Sequence, residues 1–582
     1  MDGVSISWRV KGAPGKRAVH TRLEIIEEAS GKTVSEKEGE ALFQSGEQMD
    51  VPLVPKTRYL VKLSVTDDTG ARAVSEDAWF ETGMMTEKFR ADWIAAQKEE
   101  HFHPVFRKKF SVTGKVKRAR LYACGAGLFE AYINGRRTDG EYLKPYLTNY
   151  EKRLQVITIP VEEMLKEGEN ELSFLLGKGW YMGSYGLENK ENQFGSRMAV
   201  LGELMLLFED GREEYVLTDG DFYYQPSIIQ ESGIYFGETI DMTKQPSEDG
   251  WKKVEVLTEP EKDVETKNLV KSHLKDRLSL PVYVKETVYA CEQLHTPAGE
   301  TVIDFGQNFA GFPEIDVPEL PKGTKLVFEF GEILQQGNFY RGNYRDANST
   351  FTYISDGMAR TIRPHFTFFG FRYVRVSGFP EGTMPEKGAF RGCVLYSDIE
   401  RTGEIRTSHG KINRLFENTV WGLKSNFIDI PTDCPQRSER LAWTGDAQVF
   451  APTAAYHMDT RAFFHKFIQD LMDEQEFTKG AVPNFLPNFG HGTDAASVWG
   501  DIGCFLPMAQ YKQYGNISEL AFSYPLMKGW VDYMDSLDEA QKEKSGKKKY
   551  TFCTEGFQFS DWLALDGPTE TSYKGSTDDQ YV

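Results

Sequence analysis

Apolar and polar positions alternate with a period of two through the first 85 residues. SISWRV, TRLEIIEEA and RYLVKLSVTD each place every second side chain on one face, and Gly, Pro and Asp separate the runs. Period two is that of a half-buried strand, so residues 1–86 are expected to form a small β-sandwich of the fibronectin type III kind. A second strand-rich block covers 87–280. Within it, VKRARLYACGAGLFEAYINGRRT predicts a hairpin turning at Asn134-Gly135, because both central positions of a tight hairpin turn favour such residues. A third block, 281–402, is made of short aromatic and β-branched runs with Gly between them. The period then lengthens. Ile412, Leu415, Phe416, Val420, Leu423 and Phe427 recur mostly at steps of three and four, as do Phe463, Phe464, Phe467, Ile468, Leu471 and Met472, and then Leu526, Trp530, Tyr533, Met534 and Leu537. Each set is one face of a helix. Residues 403–582 are therefore expected to be helical, with the lysine-rich EAQKEKSGKKKY as an exposed loop.

Bulk properties narrow the function. A chain of 582 residues exceeds what one core fills, so several domains are expected. A hydrophobic share of 40% and an aromatic share of 13% are ample for packed cores. The net charge of −19 opposes a nucleic-acid partner, which needs a basic face. Six scattered cysteines, with no C-x-x-C pair, read as reduced thiols. No apolar run is long enough to span a membrane, and the N-terminus lacks the basic-then-apolar order of a signal peptide. A cytoplasmic location is the expectation, although VSISW beginning at Val4 is compatible with a trimmed N-terminus.

The chemistry concentrates in DCPQRSERLAWTGD, residues 433–446, between apolar segments. Pro431 and Pro435 end the preceding helix. Asp433, Glu439 and Asp446 interleave with Arg437 and Arg440, which suggests a charge network, and Trp443 offers an apolar ring face. Trp499 with Asp501, and Asp561 with Trp562, repeat the pairing in two other long loops. The bland alternative is a solvated loop with a tryptophan in the core. Aromatic platforms beside carboxylates suit carbohydrate: C–H faces pack on rings and hydroxyls donate to ionised acids. Glycoside cleavage needs one protonated and one ionised carboxyl, and desolvation and like charge can raise the pKa of a Glu set among acids and against a Trp. No His- or Cys-rich cluster suggests a metal, and no G-x-S-x-G suggests a serine nucleophile.

The same stretch closely resembles the signature of bacterial α-L-rhamnosidases, glycoside hydrolase family 78. So do LLGKGWYMG (175–183), DFGQNFAGF (304–312), GEILQQGNFYRGNYRDANSTFTYIS, HFTFFGFRYVRVSGFP (365–380), WGDIGCFLPMAQYKQYGN and SDWLALDG. The resemblance implies a fibronectin-like β-sandwich (1–86), a lectin-like one (87–280) and a further one (281–402), followed by an (α/α)6 barrel whose first half is 403–582. It implies inverting hydrolysis of terminal α-L-rhamnosyl groups from rhamnose-containing glycosides or oligosaccharides. Glu439 matches the general acid, Asp433 and Asp446 the acids that bind rhamnose hydroxyls, and Arg440 and Trp443 neighbouring site residues. Trp499 and Trp562 resemble ring-contacting tryptophans. Asp561 is carried over as a substrate residue, with a helix cap as its other reading. Ser438 stands where Asp is common, Ala442 where Gly is common, and Ser560 where Gly is frequent. By family spacing the general base, a Glu, is expected well past Val582, so these 582 residues alone are expected to be inactive and prone to aggregate. No cofactor is expected; a structural calcium is compatible with the resemblance, but no D-x-D-x-D-G loop places one. Two other readings stay open: another exo-glycosidase on the same barrel, or a carbohydrate-binding relative without catalysis. Oligomeric state leaves no mark in the sequence.

Overall fold

The computed structural model describes residues 3–11, 17–40, 42–186, 188–490, 496–546 and 559. Two compact units emerge. The first comprises residues 1–89 with 507–524. Its main sheet runs in the order Thr33–Gly39, Ala18–Glu27, Arg58–Asp67, Arg72–Val74, with Ala78–Glu81 also paired to Arg58–Asp67. A two-stranded sheet, Gly3–Ser7 with Ser45–Asp50, completes it. The alternation read from the sequence places Leu23, Ile25, Tyr59 and Val61 inside, against Met49 and Val51.

The second unit, 90–506 with 525–582, holds everything else. A seven-stranded and a six-stranded sheet form its first part. They face each other closely enough that Phe174 of one lies where a Cβ on Gly202 of the other would sit, 2.9 Å away. Asn134 and Gly135 both take left-handed backbone, φ +52° and +75°, and turn the strand Leu128–Ile133 back into Arg136–Arg137. Next comes a ten-stranded sheet around the long strand Thr301–Val317. Two strands from before residue 280, Ile229–Gly233 and Gly237–Asp241, belong to this large sheet; the second pairs in parallel with Thr350–Ile354. The sheets therefore do not separate at residue 280, because a return excursion of the chain fills the edge of the larger one.

Helices follow: Gly410–Asn426, Thr444–His457, Arg461–Phe477, Ile502–Tyr514 and Ile517–Ser545. In the third, Phe463, Phe464, Phe467, Ile468 and Leu471 are all buried, and Phe463 stacks on Phe427 with centroids 4.5 Å apart. In the first, Val420 and Leu423 are buried but Ile412 and Leu415 are exposed. Among the described residues nothing covers that end of the face. The first part of the lysine-rich segment is not a loop: the last helix continues through EAQKEKS to Ser545, and residues 547–550 lie outside the described residues. Glu, Ala, Gln and Lys are strong helix formers, so the segment extends the helix while remaining polar. Cys124, Cys291, Cys393, Cys434 and Cys504 are free thiols, and Cys553 lies outside the described residues. Among the described residues no helix is long and apolar enough to cross a membrane.

Candidate active site

The acidic loop begins where the helix Gly410–Asn426 stops. Phe427–Ile428 folds back on Ile430–Pro431 through Asp429, whose φ of +66° makes the turn. Asp429 is fully buried, and its carboxylate accepts the Leu147 N–H at 2.6 Å. The loop is then closed at its neck by two bonds between the same residues. The Asp433 N–H donates to the Leu441 carbonyl at 3.2 Å, and the Leu441 N–H donates to Asp433 Oδ1 at 3.2 Å. Beyond the neck, Ala442–Trp443 pairs with Phe485–Leu486, and the Thr444–His457 helix starts with Asp446 in its first turn. An acid there is favoured by the positive end of the helix dipole.

Two of the predicted acids meet, and a third acts on them from the start of the next helix. Carboxylate oxygens of Asp433 and Glu439 and the Cys434 sulfur all lie within 4.8 Å of one another, and both Glu439 and Asp446 act electrostatically on Asp433. Burial, then the Glu439 charge, pushes the Asp433 carboxyl up to about 7. Asp446 also moves up, chiefly by desolvation and then by Glu439, although its side chain is open to solvent on one side and the effect is correspondingly softened. Two guanidiniums offset the negative charge. Arg345 Nη1 donates to Glu439 Oε2 at 2.6 Å, and Arg437 Nε lies 3.0 Å from the same oxygen, while Arg437 Nη2 donates to Asp433 Oδ2 at 3.4 Å. The trio of Asp433, Cys434 and Glu439 has the spacing of a metal-ligand set among the described residues. Burial holds the Cys434 thiol protonated, however, and the acids already have cationic partners, so the chemistry fits a charge network better. A depression of about 350 Å³ opens beside Asp433 and Asp446, with Phe427, Val449 and Phe450 on its apolar side.

Arg440 is placed differently from the acids. It is buried, with φ +47°, and its guanidinium donates to the carbonyls of Ile234 and Phe368 at 2.9 Å each and of Gln436 at 3.1 Å. It is packed between the Tyr235 and Phe368 rings. The Tyr235 hydroxyl donates to the Glu439 carbonyl, and the Tyr185 hydroxyl donates to the Arg440 carbonyl at 3.2 Å. The backbone of the acid is thus held from the β side. Gly370, at the start of the strand Phe369–Ser377, shows how tightly: a Cβ there would lie 2.9 Å from Gln436 Cβ.

Of the tryptophans, Trp443 is half-buried and packs on Phe485, with centroids 5.1 Å apart. Trp499 is buried against Phe559 at 4.4 Å and lies over the backbone of Gly445. Asp501 caps this loop from beneath, accepting the Trp530 indole N–H at 3.1 Å and the Val498 N–H at 2.8 Å. Asp561 and Trp562 lie outside the described residues. Sequence reasoning missed Arg345, Tyr185 and Tyr235. Arg345 stands 94 positions before Glu439 in the chain, inside a quoted motif, yet nothing in its neighbourhood suggested that it reaches the acid.

Comparison with known proteins gives a consistent identity. The bacterial alpha-L-rhamnosidase 6 hairpin glycosidase domain matches residues 400–582. The alpha-L-rhamnosidase N-terminal domain matches 114–286, the bacterial alpha-L-rhamnosidase concanavalin-like domain 294–396, and the Rha78A-like N-terminal immunoglobulin domain 2–86. An alpha-L-rhamnosidase of Formosa agariphila is 32% identical over 523 residues, covering 86% of this chain and 54% of its own length. The structure of an α-L-rhamnosidase from Aspergillus terreus superposes with a TM-score of 0.90 at 28% identity, covering 100% of this chain and 67% of that one. A Streptomyces avermitilis alpha-L-rhamnosidase complexed with L-rhamnose shares the fold, with a TM-score of 0.86 at 24% identity over 97% of this chain and 71% of that one. The chain spans about half the length of the curated relatives it matches. Domain matches along nearly all of the chain, in one order, together with the acid loop itself, place it in one group: the chain belongs to the bacterial α-L-rhamnosidases, glycoside hydrolase family 78.

Proposed function

We propose that the protein hydrolyses terminal non-reducing α-L-rhamnosyl groups of rhamnose-containing glycosides and oligosaccharides with inversion. The observation that carries this is the approach of Asp433 and Glu439 to within 4.8 Å on one loop, with the Glu439 carboxylate buried and gripped and Asp446 lining the same depression as Asp433. In this reading the β part before residue 403 is made of sandwich domains, the strands Ile229–Gly233 and Gly237–Asp241 belonging to the last of them, and the helices form the first half of an (α/α)6 barrel. Glu439 protonates the leaving oxygen as the bond to C1 breaks, and the electron pair of that bond stays on the departing oxygen. Water adds to C1 from the opposite face and gives its proton to a second carboxylate, which an inverting enzyme holds ~6.5–9.5 Å from the first. Asp433 and Asp446 accept hydrogen bonds from the sugar hydroxyls. Trp443 presents a ring face, with Trp499 behind it as support. Arg440 acts by holding the loop in shape, since both its terminal nitrogens donate to backbone carbonyls.

One observation favours a second assignment. Asp433, pushed up to about 7, retains a proton near neutral pH and is itself a candidate donor. The two assignments separate by leaving group. In the full-length protein, Glu439→Gln is expected to abolish release of a poorly activated alkyl α-L-rhamnoside while sparing part of the rate on a 4-nitrophenyl one. Asp433→Asn is expected to raise KM for both alike. The reverse pattern makes Asp433 the acid. Release of no sugar from any α-L-rhamnoside by the unmutated enzyme overturns the activity itself. Release of the α-anomer first, seen by NMR, overturns inversion.

A further inference from the structure

The loop that brings Arg345 to Glu439 is registered against the acid loop on both sides of the arginine. The Ser438 N–H donates to the Tyr344 carbonyl at 3.4 Å, and the Asp346 N–H donates to Ser438 Oγ at 3.3 Å. Residues 344 and 346 are therefore both fastened to residue 438, and Arg345 has to face residue 439. Arg345 itself takes φ +55°, a conformation costly for a residue with a Cβ. Tyr344 is buried beneath, with its hydroxyl donating to the Gly370 carbonyl at 2.5 Å. Gln436 Nε2 donates to Glu332, and so does Asn343 Nδ2, at 2.9 and 3.1 Å. The arrangement spends backbone strain and several polar contacts to deliver one side chain. That side chain is about half exposed and, among the described residues, its ion pair is with Oε2 of Glu439.

Such an arginine looks misplaced beside a proton donor, because a guanidinium favours the ionised carboxyl. It is well placed for the transition state. As the proton leaves Glu439 for the glycosidic oxygen, negative charge grows on the carboxylate, and a pre-positioned cation stabilises that growth without reorganising. We propose that Arg345, supplied by the β-sandwich before the helices, is a positioning residue for the proton transfer: it fixes Oε2 of Glu439, leaves Oε1 to carry the proton, and stabilises the carboxylate formed as the bond breaks. This rests on Glu439 as the donor. Arg437 also lies at Oε2, but it shares its charge with Asp433. The loss of Arg345 is therefore only partly compensated.

The test uses the full-length enzyme with Arg345→Met, Arg345→Lys and Glu439→Gln, each first checked for an unchanged melting profile. Two substrates are compared, a 4-nitrophenyl and an alkyl α-L-rhamnoside. Arg345→Met is expected to lower kcat on the alkyl substrate by about 10–100-fold, less on the nitrophenyl one, with KM within about threefold on both. The alkaline limb of its pH–rate profile is expected to move to higher pH, and Arg345→Lys to recover most of the rate. An equal loss on both substrates with no rescue by lysine would mean that Arg345 only supports the loop, and the proposal falls. So does an alkyl rate within twofold of the parent. If Glu439→Gln keeps its alkyl activity, the acid assignment fails on its own, separately from any effect of Arg345.

Discussion

Asp433 illustrates what a single side chain costs the fold in this loop. Its carboxyl is almost entirely buried, and its pKa of about 7 lies above the ordinary value of 3.8, with burial first and the Glu439 charge second among the causes. A carboxyl raised in the folded state binds its proton more tightly there than in the unfolded chain. Its contribution to stability is therefore complete below pH 4 and is lost as the pH rises through 7. Asp433→Asn should remove that loss: the fall in melting temperature between pH 5 and pH 8 should be smaller than in the parent, while sugar binding weakens. An unchanged pH dependence would show that the carboxylate is better compensated by Arg437 than its surroundings indicate. The acids were legible in the sequence because one contiguous stretch carries them all, and their spacing survives into space. Arg345 was not legible, since its placement depends on two hydrogen bonds to Ser438, one from its N–H and one to its Oγ, that no local pattern encodes. Arg440 was singled out from the sequence as a site residue, but its surroundings were not legible there. Only the structure shows its donors turned towards the carbonyls of Ile234, Phe368 and Gln436.

Among the elements, the Thr444–His457 helix sets the geometry of the acids on its N-terminal side. Its first turn is possible only because residue 445 is glycine: a Cβ there would lie 2.6–2.8 Å from the Trp499 ring. Gly445→Ala is expected to cost about 1–3 kcal/mol by overpacking. It should also raise KM, because the indole and the Asp446 turn cannot both keep their places. Thermal melting and a substrate titration on one sample check both, and a variant matching the parent in each would show that the ring has room to retreat. This helix and Ile502–Tyr514 were not among the amphipathic faces read from the sequence. Each contains a proline, Pro452 and Pro507, and each is apolar around much of its circumference, so no period of 3.6 stands out. The three faces that were read belong to helices with a polar side to contrast with. The lysine-rich tail misled for the opposite reason, since a charged surface does not distinguish a loop from the exposed end of a helix.

At the scale of the second unit, the β part and the helices are joined through buried charge. Lys466 is fully buried on the Arg461–Phe477 helix. It donates to Asp470 at 2.7 Å and to the Leu147 carbonyl at 2.7 Å, and lies 3.6 Å from Asp429. Arg153 pairs with Asp473 at 2.8 Å, and Asn149 donates to Glu474 at 3.0 Å, on the same helix face. Lys466→Met leaves two buried acids without their cation and is expected to cost about 3–5 kcal/mol. Burial already pushes the Asp429 and Asp470 carboxyls up, so the deficit should shrink as the pH falls and both take up protons. Denaturant melts at pH 5 and pH 8 measure this. A deficit independent of pH would mean that the lysine stem, not its charge, does the holding.

The two fastenings of residue 438 to residues 344 and 346 also bear on inheritance. Glu439, the proposed proton donor, sits on the helical side of the chain and the guanidinium that faces it on the sheet side. A helical segment exchanged between relatives would arrive without its counter-ion unless the recipient sheet carried the same tripeptide in the same register. Recombination that cuts between these segments thus separates the two halves of one device. They are expected to change in step or to stay fixed, and a chimera joined near residue 400 should regain activity most readily when residues 344–346 travel with the acid loop.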